Sequence, residues 1–117
     1  MRIARLQHVS VRIGDLERSR EFYERLLGLD RAPRPDLGFP GAWYDAGGTQ
    51  IHLIGGGKLL DGIDPTDPHL ALEVESLDAV RRELDARGIP YRDFGGAQLW
   101  VHDPDGNVVE LCEAGGR

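Results

Sequence analysis

Three of the four histidines and one glutamate stand where they could share a metal ion. His8 and His69 each open an alternating segment, 61 positions apart, and His52 and Glu110 each lie in a later alternating segment, 58 positions apart. Neutral imidazole and carboxylate are the usual nitrogen and oxygen ligands of zinc, nickel, iron and manganese. Because four such groups packed together without a cation would cost desolvation free energy, their paired spacing predicts one divalent metal bound by all four.

The paired spacing arises because the chain contains one structural unit twice. In the first copy, the alternating segment LQHVSVRI is followed by an amphipathic helix that Asp15 caps and Gly28 ends. In the second copy, HLALEV is followed by a helix that Ser76 caps and Gly88 ends. Three short strand patterns complete each copy, at 29–34, 41–46 and 49–54 in the first and at 90–94, 97–102 and 107–112 in the second.

This order of elements predicts an α+β fold made of two βαβββ modules. The modules span residues 1–55 and 68–117, and the segment 56–67, rich in Gly, Asp and Pro, links them. We expect the strands to form a curled, partly open, barrel-like sheet of eight strands, with one helix packed outside each module. Side-chain alternation then places the four candidate ligands on the face away from the helices, in the concavity of the sheet.

Charge and hydropathy exclude several classes of partner. The formal charge of −6 and the isoelectric point near 5.1 leave no basic stripe for a phosphate backbone, so nucleic acid is not expected. No segment approaches the roughly 20 apolar residues of a membrane span. The single cysteine, Cys112, cannot form an internal disulfide and is typical of a reducing compartment. We therefore expect a cytoplasmic protein whose partner is a small-molecule substrate.

Four further residues could contact a substrate. Arg12 lies on the inner face of the first strand and could hold an anionic group, although pairing with Glu73 is the simpler alternative. Gln50 lies on the inner face of its strand and could either hydrogen-bond a substrate or sit at a solvated strand end. Trp43 and Trp100 occupy equivalent strands and could form either pocket walls or core.

The segments HVSV, GDLERSREFYERLLGL, HLALEV and DPDGNVVEL, in this order, resemble the vicinal oxygen chelate superfamily. The superfamily includes glyoxalase I, methylmalonyl-CoA epimerase, fosfomycin resistance proteins, extradiol dioxygenases and bleomycin-binding proteins. The resemblance spans essentially the whole chain and implies that His8, His69 and Glu110 bind the metal. At the fourth metal position glyoxalase I typically has a glutamate and the epimerase a glutamine, whereas this chain has His52, which could be a ligand or could line the pocket.

From this resemblance we expect a metal-dependent lyase or isomerase of the glyoxalase I type. Its substrate would be an α-hydroxy- or α-oxo-carbonyl compound that chelates the metal through adjacent oxygens, and Glu110 would be the catalytic base. One divalent ion per site is expected, zinc before nickel, manganese, cobalt or iron. A homodimer is expected, because a second copy would cover the open edges and concave face, with sites inside one chain or shared between subunits.

Other functions stay open on the sequence. A drug- or metabolite-binding protein of the bleomycin-resistance type would use the concavity as a cage, although such proteins typically lack the metal residues. A ring-cleaving dioxygenase would use the same two histidines and glutamate with ferrous iron, although such enzymes usually have a longer chain. A fosfomycin-type transferase is weaker still, because its potassium-binding loop has no match in the sequence.

Overall fold

The computed structural model describes residues 1–114, and the last three residues of the second predicted module, 115–117, lie outside the described part. The first module contains strand β1 (Ile3–Arg12), helix α1 (Leu16–Arg20) with its π-helical continuation (Glu21–Leu26), and strands β2 (Asp30–Ala32), β3 (Gly41–Ala46) and β4 (Thr49–Ile54). The second module contains strand β5 (His69–Val74), helix α2 (Leu77–Arg87), and strands β6 (Tyr91–Asp93), β7 (Gln98–His102) and β8 (Val108–Glu113). The predicted βαβββ order of elements is confirmed in both copies.

All eight strands form one mixed, open sheet in the order β2-β3-β4-β1-β5-β8-β7-β6. Within each module the first strand pairs in parallel with the last, β1 with β4 and β5 with β8. The two modules meet where β1 and β5 pair antiparallel. The first strands of both modules therefore lie side by side at the centre of the sheet, and the predicted α+β fold is confirmed.

The helices begin at the capping residues that the sequence predicts. The side chains of Asp15 and Ser76 each accept a hydrogen bond from a backbone N–H three residues later, a donor that has no partner inside the helix. Gly88 ends α2 with φ of 67°, a left-handed conformation that suits glycine. From Glu21 onward, the first helix departs from a regular α-helix and widens into a π-helix. Within residues 1–114, no helix is long and apolar enough to cross a membrane.

Two apolar clusters hold the helices against one face of the sheet. In the first module the buried cluster is small, with Leu16 and Tyr23 of the helical segment packed against its edge. In the second module α2 buries a full face, and burial of this apolar area is the main stabilising contribution. The buried members are Ala42, Tyr44 and Leu53 in the first module and Val74, Leu77, Val80, Leu84, Leu99 and Leu111 in the second. Because strand residues alternate, the other face of the same strands carries the candidate site.

Candidate metal centre

His8, His69 and Glu110 meet at the seam between the two modules. The Nε2 atoms of the two histidines are 3.2 Å apart, and Glu110 Oε1 lies 3.6 Å from His8 Nε2 and 3.2 Å from His69 Nε2. The side chains of His8 and Glu110 are 0% and 1% exposed, and that of His69 is 4% exposed. Three of the four candidate ligands thus converge in one buried cluster, inside a single chain.

The strand register at the centre of the sheet explains this convergence. His8 pairs with Ala71 across β1 and β5, and Ala71 pairs with Glu110 across β5 and β8, so the three side chains form one row on the same face. His69 pairs with Ser10 of β1 in the neighbouring row. Because Ala71 is fully buried and has only a methyl group, it leaves room for the imidazole on one side and the carboxylate on the other.

Hydrogen bonds to the outer ring nitrogens determine which nitrogen of each histidine faces the cluster. His8 Nδ1 lies 2.5 Å from the side-chain oxygen of Gln7, and His69 Nδ1 lies 2.6 Å from the backbone oxygen of Asp67. Both oxygens can only accept, so each Nδ1 carries a hydrogen, and in the neutral ring each Nε2 then presents a lone pair. Metal-binding histidines typically donate their second N–H in this way.

The donor set fits a divalent cation. Ligand atoms about 2.1 Å from one metal ion lie roughly 3.0 to 3.4 Å from one another in octahedral or tetrahedral coordination. The three separations in the cluster, 3.2, 3.2 and 3.6 Å, are close to that range. Two imidazole lone pairs and a carboxylate oxygen that face one another away from water repel, and a cation would remove that repulsion. His8, His69 and Glu110 could therefore hold one divalent ion.

A tryptophan in each module accompanies the last strand, but the two tryptophans make different contacts. Trp100 is the register partner of Glu110, and its Nε1–H donates to Glu110 Oε1 over 3.2 Å. Trp43 is the register partner of His52, and its ring stacks on the imidazole at a centroid distance of 4.1 Å and an interplanar angle of 5°. Equivalent positions of the repeat thus carry a hydrogen bond to a carboxylate in one copy and an aromatic stack in the other.

His52, the fourth predicted ligand, lies beside the cluster. It is 3% exposed, and its ring stacks on that of His8 with centroids 3.9 Å apart. Its Nε2 is 2.9 Å from the side-chain oxygen of Gln50. Among the described residues, the ligand atoms that lie within 4.8 Å of one another belong to His8, His69 and Glu110. The role of His52 as a ligand stays a prediction.

The cluster lines a cavity of about 490 Å³, which is large enough for a small molecule. Trp43 and Trp100 line the same cavity, in the position that the sequence allowed for pocket walls. Two loops supply half of the remaining lining residues. One loop follows β2 and the other lies between the modules, and the residues are Pro35, Leu37, Phe39, Pro65 and Thr66. All five lie in the two loops, 31–41 and 55–67, that the sequence places around the pocket, and these loops carry no recognisable motif that would identify a substrate.

Arg12 and Gln50, the other predicted substrate contacts, are outside the set of described residues that line this cavity. Arg12 donates to Asp67 Oδ1 over 3.1 Å, whereas the alternative partner considered from the sequence, Glu73, pairs with Arg5 at 2.8 Å. Gln50 borders a second, more polar concavity of about 370 Å³. Substrate contacts by Arg12 and Gln50 stay predictions.

Asp64 fixes the loop between the modules against the cavity. It is fully buried, and its carboxylate accepts hydrogen bonds from the backbone N–H groups of Leu59, Leu60 and Thr66 and from the Thr66 hydroxyl. Burial alone would raise the pKa of Asp64, but these hydrogen bonds outweigh burial and hold the pKa below its usual value. An aspartate in a Pro-rich turn is the local signal that could have indicated this role.

The chain consists of two βαβββ modules, and a buried cluster of two histidines and a carboxylate lies where they meet. It is thus a duplicated α+β protein with a candidate metal site on the concave face of the sheet. A sequence model of the Glyoxalase/Bleomycin resistance protein/Dioxygenase superfamily matches residues 5–111. The chain belongs to this superfamily, and the resemblance found in its motifs is confirmed.

Relatives with named activities include glyoxalases and methylmalonyl-CoA epimerases. The chain is 34% identical over 125 residues to "Glyoxylase I 4" of Arabidopsis thaliana, covering 96% of this chain and 72% of that protein. It is 26% identical over 132 residues to mitochondrial methylmalonyl-CoA epimerase of Bos taurus, covering 96% and 75%. The crystal structure of methylmalonyl-CoA epimerase from Mycobacterium tuberculosis matches with a TM-score of 0.69 at 26% identity, over 95% of this chain and 88% of that one. These relatives support a lyase or isomerase at the level of the superfamily.

Proposed function

We propose that the protein is a metal-dependent lyase or isomerase of the glyoxalase type. Such an enzyme removes a proton from a carbon next to a carbonyl group and returns it to the substrate. The observation that carries this proposal is the convergence of His8 Nε2, His69 Nε2 and Glu110 Oε1 in the wall of the 490 Å³ cavity. A divalent ion held by these three residues would act as a Lewis acid that polarises adjacent oxygens of an α-hydroxy- or α-oxo-carbonyl substrate.

Glu110 is the residue that we assign to the proton transfer. Among the described residues that line the cavity, it is the one carboxylate. The indole N–H of Trp100 donates to Oε1 and orients the carboxylate, which would accept a substrate proton and return it after leaving the metal ion. Leu37 and Phe39 border the same cavity, and their apolar side chains would slow exchange of that proton with water.

A single carboxylate favours a reaction that needs one base. A proton can move between adjacent carbons through one base on one side of the substrate, whereas inversion at a carbon needs acid and base groups on both sides. This difference supports the glyoxalase-type reaction over the epimerase-type reaction, although both kinds of relative share the removal of a proton next to a carbonyl.

Elemental analysis of protein purified without added metal is the first test. We expect about one divalent ion per chain, and we expect His8→Ala and Glu110→Ala to lose it. A metal-free protein that still binds small molecules would instead be a binding protein of the bleomycin-resistance type.

Turnover of the hemithioacetal of methylglyoxal, measured with several divalent ions and with a methylmalonyl thioester as comparator, tests the reaction itself. Turnover of the hemithioacetal alone is the expected result. A metal-loaded protein that turns over neither compound would contradict the proposed reaction while leaving the metal centre in place.

The identity of the ion and the assembly are finer parts of the proposal. We propose zinc first, because two imidazoles and a carboxylate are a common zinc donor set, with nickel, manganese, cobalt or iron as alternatives. We also propose a homodimer, because Phe22 and Leu26 of the first helical segment and Leu27 after it are 47%, 72% and 50% exposed. Light scattering should then give twice the chain mass of 12.9 kDa. A cytoplasmic location stays a prediction from the single cysteine.

A further inference from the structure

We propose that two glutamines, Gln7 and Gln50, decide which of two stacked imidazoles binds the metal, so that His8 is a ligand and His52 is a wall of the cavity. This inference rests on the metal centre proposed above and deepens it. The rings of His8 and His52 are stacked at 3.9 Å with an interplanar angle of 18°, so both imidazoles lie next to the cluster. Their hydrogen bonds, however, leave different nitrogens available.

Gln7 reaches His8 because β1 contains a bulge. The pairing of β1 with β5 shifts by one residue between Leu6 and His8, which makes Gln7 the inserted residue. Neighbouring residues of a regular strand face opposite sides of the sheet, but at this bulge the side chain of Gln7 reaches the imidazole of His8. Its oxygen accepts the hydrogen of His8 Nδ1, and His8 Nε2 faces the cluster as an acceptor.

Gln50 contacts the other ring nitrogen of its histidine, Nε2 of His52. Both residues lie in β4, two positions apart, and therefore on the same face. The amide nitrogen of Gln50 donates to Asp45 Oδ1 over 3.3 Å, and because a carboxylate only accepts, this bond turns the amide oxygen toward His52. His52 Nε2, 2.9 Å from that oxygen, therefore carries the hydrogen. The nitrogen equivalent to the ligand nitrogen of His8 is thus a donor in His52.

Stacking reinforces this arrangement. The imidazole of His52 lies between the ring of Trp43, at 4.1 Å, and the ring of His8, at 3.9 Å. Turning His52 to bring a nitrogen to the metal would break both stacks and the hydrogen bond to Gln50. Three protein ligands leave more of the cation available to a chelating substrate than four would, and His52 then forms part of the wall beside that substrate.

The matched variants Gln7→Leu and Gln50→Leu test this inference, with Zn²⁺ affinity measured by competition with a chelator. Loss of the partner of a metal-binding histidine typically costs about 10- to 100-fold in affinity, and we expect this loss for Gln7→Leu. Gln50→Leu removes the partner of a wall residue and of Asp45, neither of them a proposed ligand, and should change the affinity by less than about threefold. Gln7→Glu keeps an acceptor oxygen and should restore most of the affinity. Melting temperatures of the metal-free variants control for folding.

The outcomes distinguish this inference from the proposed function. A wild-type protein that binds no Zn²⁺ would refute the metal centre itself. Wild-type binding with equal losses in the two leucine variants, or with no loss in either, would overturn the division between His8 and His52. Co²⁺ absorption spectra give a second readout that does not depend on the glutamine variants. His52→Ala should keep the wild-type Co²⁺ spectrum, and a changed spectrum would identify His52 as a ligand.

Discussion

Replacement of Glu110 with glutamine should weaken metal binding strongly and leave the metal-free protein at least as stable as the wild type. Glutamine keeps the shape of the side chain and an oxygen that can accept the indole N–H of Trp100. The substitution therefore removes the charge and little else. In the wild type this charge is 1% exposed and lies between His8 and His69, so it has lost most of its hydration.

The loss of metal affinity and the unchanged or higher stability without metal have one cause, the charge of the Glu110 carboxylate. This charge attracts a cation but is costly to bury without one. Opposite unit charges about 4 Å apart attract by roughly 4 kcal/mol at an effective dielectric constant of about 20. The ligand atoms lie within 4.8 Å of one another. A cation bound between them would therefore lie no farther than about 4 Å from the carboxylate. The loss of about 4 kcal/mol corresponds to roughly a thousandfold in affinity. Without metal, the neutral amide removes the desolvation cost of a buried charge, and the free energy of unfolding should be unchanged or higher.

Urea unfolding, followed by tryptophan fluorescence with a chelator and then with Zn²⁺, measures both effects. At a Zn²⁺ concentration 100 times the wild-type dissociation constant, the wild type should gain about 2.7 kcal/mol in the free energy of unfolding. At the same concentration, Glu110→Gln should gain less than about 0.1 kcal/mol. A variant that is destabilised in chelator, yet still gains the full increment with Zn²⁺, would show that Glu110 is a structural partner of the histidines and not a ligand.

Three further substitutions test the surroundings of the centre. Trp100→Phe removes the N–H that Glu110 accepts and should weaken Zn²⁺ binding about tenfold or more, measured by chelator competition, since hydrogen bonds to charged groups contribute about 1.5–3 kcal/mol. Ala71→Leu should abolish metal binding and lower the free energy of unfolding in urea by about 1–3 kcal/mol, because Ala71 is fully buried beside the ligands. Tyr44→Phe should remove an alkaline loss of stability. Burial and the hydrogen bond to Glu24 raise the pKa of Tyr44 to about 12 from 10.0, so its contribution is present below pH 10 and lost toward pH 12. Urea unfolding across this range should show about 2–3 kcal/mol more loss in the wild type than in the variant.

The repeat explains why so much of the centre could be predicted from the sequence. A strand has a side-chain period of two residues, so alternation alone assigned His8, His69 and Glu110 to one face. The pairing of β1 with β5 at the centre of the sheet then brings the ligands of the two copies together. Alternation does not predict which nitrogen of each imidazole carries the hydrogen, because the tautomer depends on which acceptor reaches the ring.

The features that the sequence did not predict depend on contacts between distant segments. Gln7 faces the same side as His8 only because β1 is bulged where it pairs with a strand of the other module. Arg12 finds Asp67, in the segment between the modules, because Asp64 holds that segment in place. Contacts between distant segments do not produce a periodic pattern in the local sequence. The loop residues that line the cavity also follow no periodic pattern.

The two copies of the repeat differ at the position that would decide the stereochemistry of the reaction. Trp100 and Glu110 in the second module correspond to Trp43 and His52 in the first, on opposite sides of the β1–β5 seam. A carboxylate in both copies would allow a proton to leave on one side of a substrate and return on the other. The first module instead presents an imidazole whose Nε2 donates to Gln50.

A substrate held between these walls should therefore lose and regain its proton on the Glu110 side alone. In deuterium oxide, one enantiomer of a methylmalonyl thioester should then exchange its α-hydrogen, seen by proton NMR, while chiral chromatography shows that it keeps its configuration. This follows because a single base returns deuterium to the side from which the proton left. Loss of configuration as fast as exchange would contradict the assignment of one base, and His52→Ala would then test whether the imidazole of the first module supplies the second.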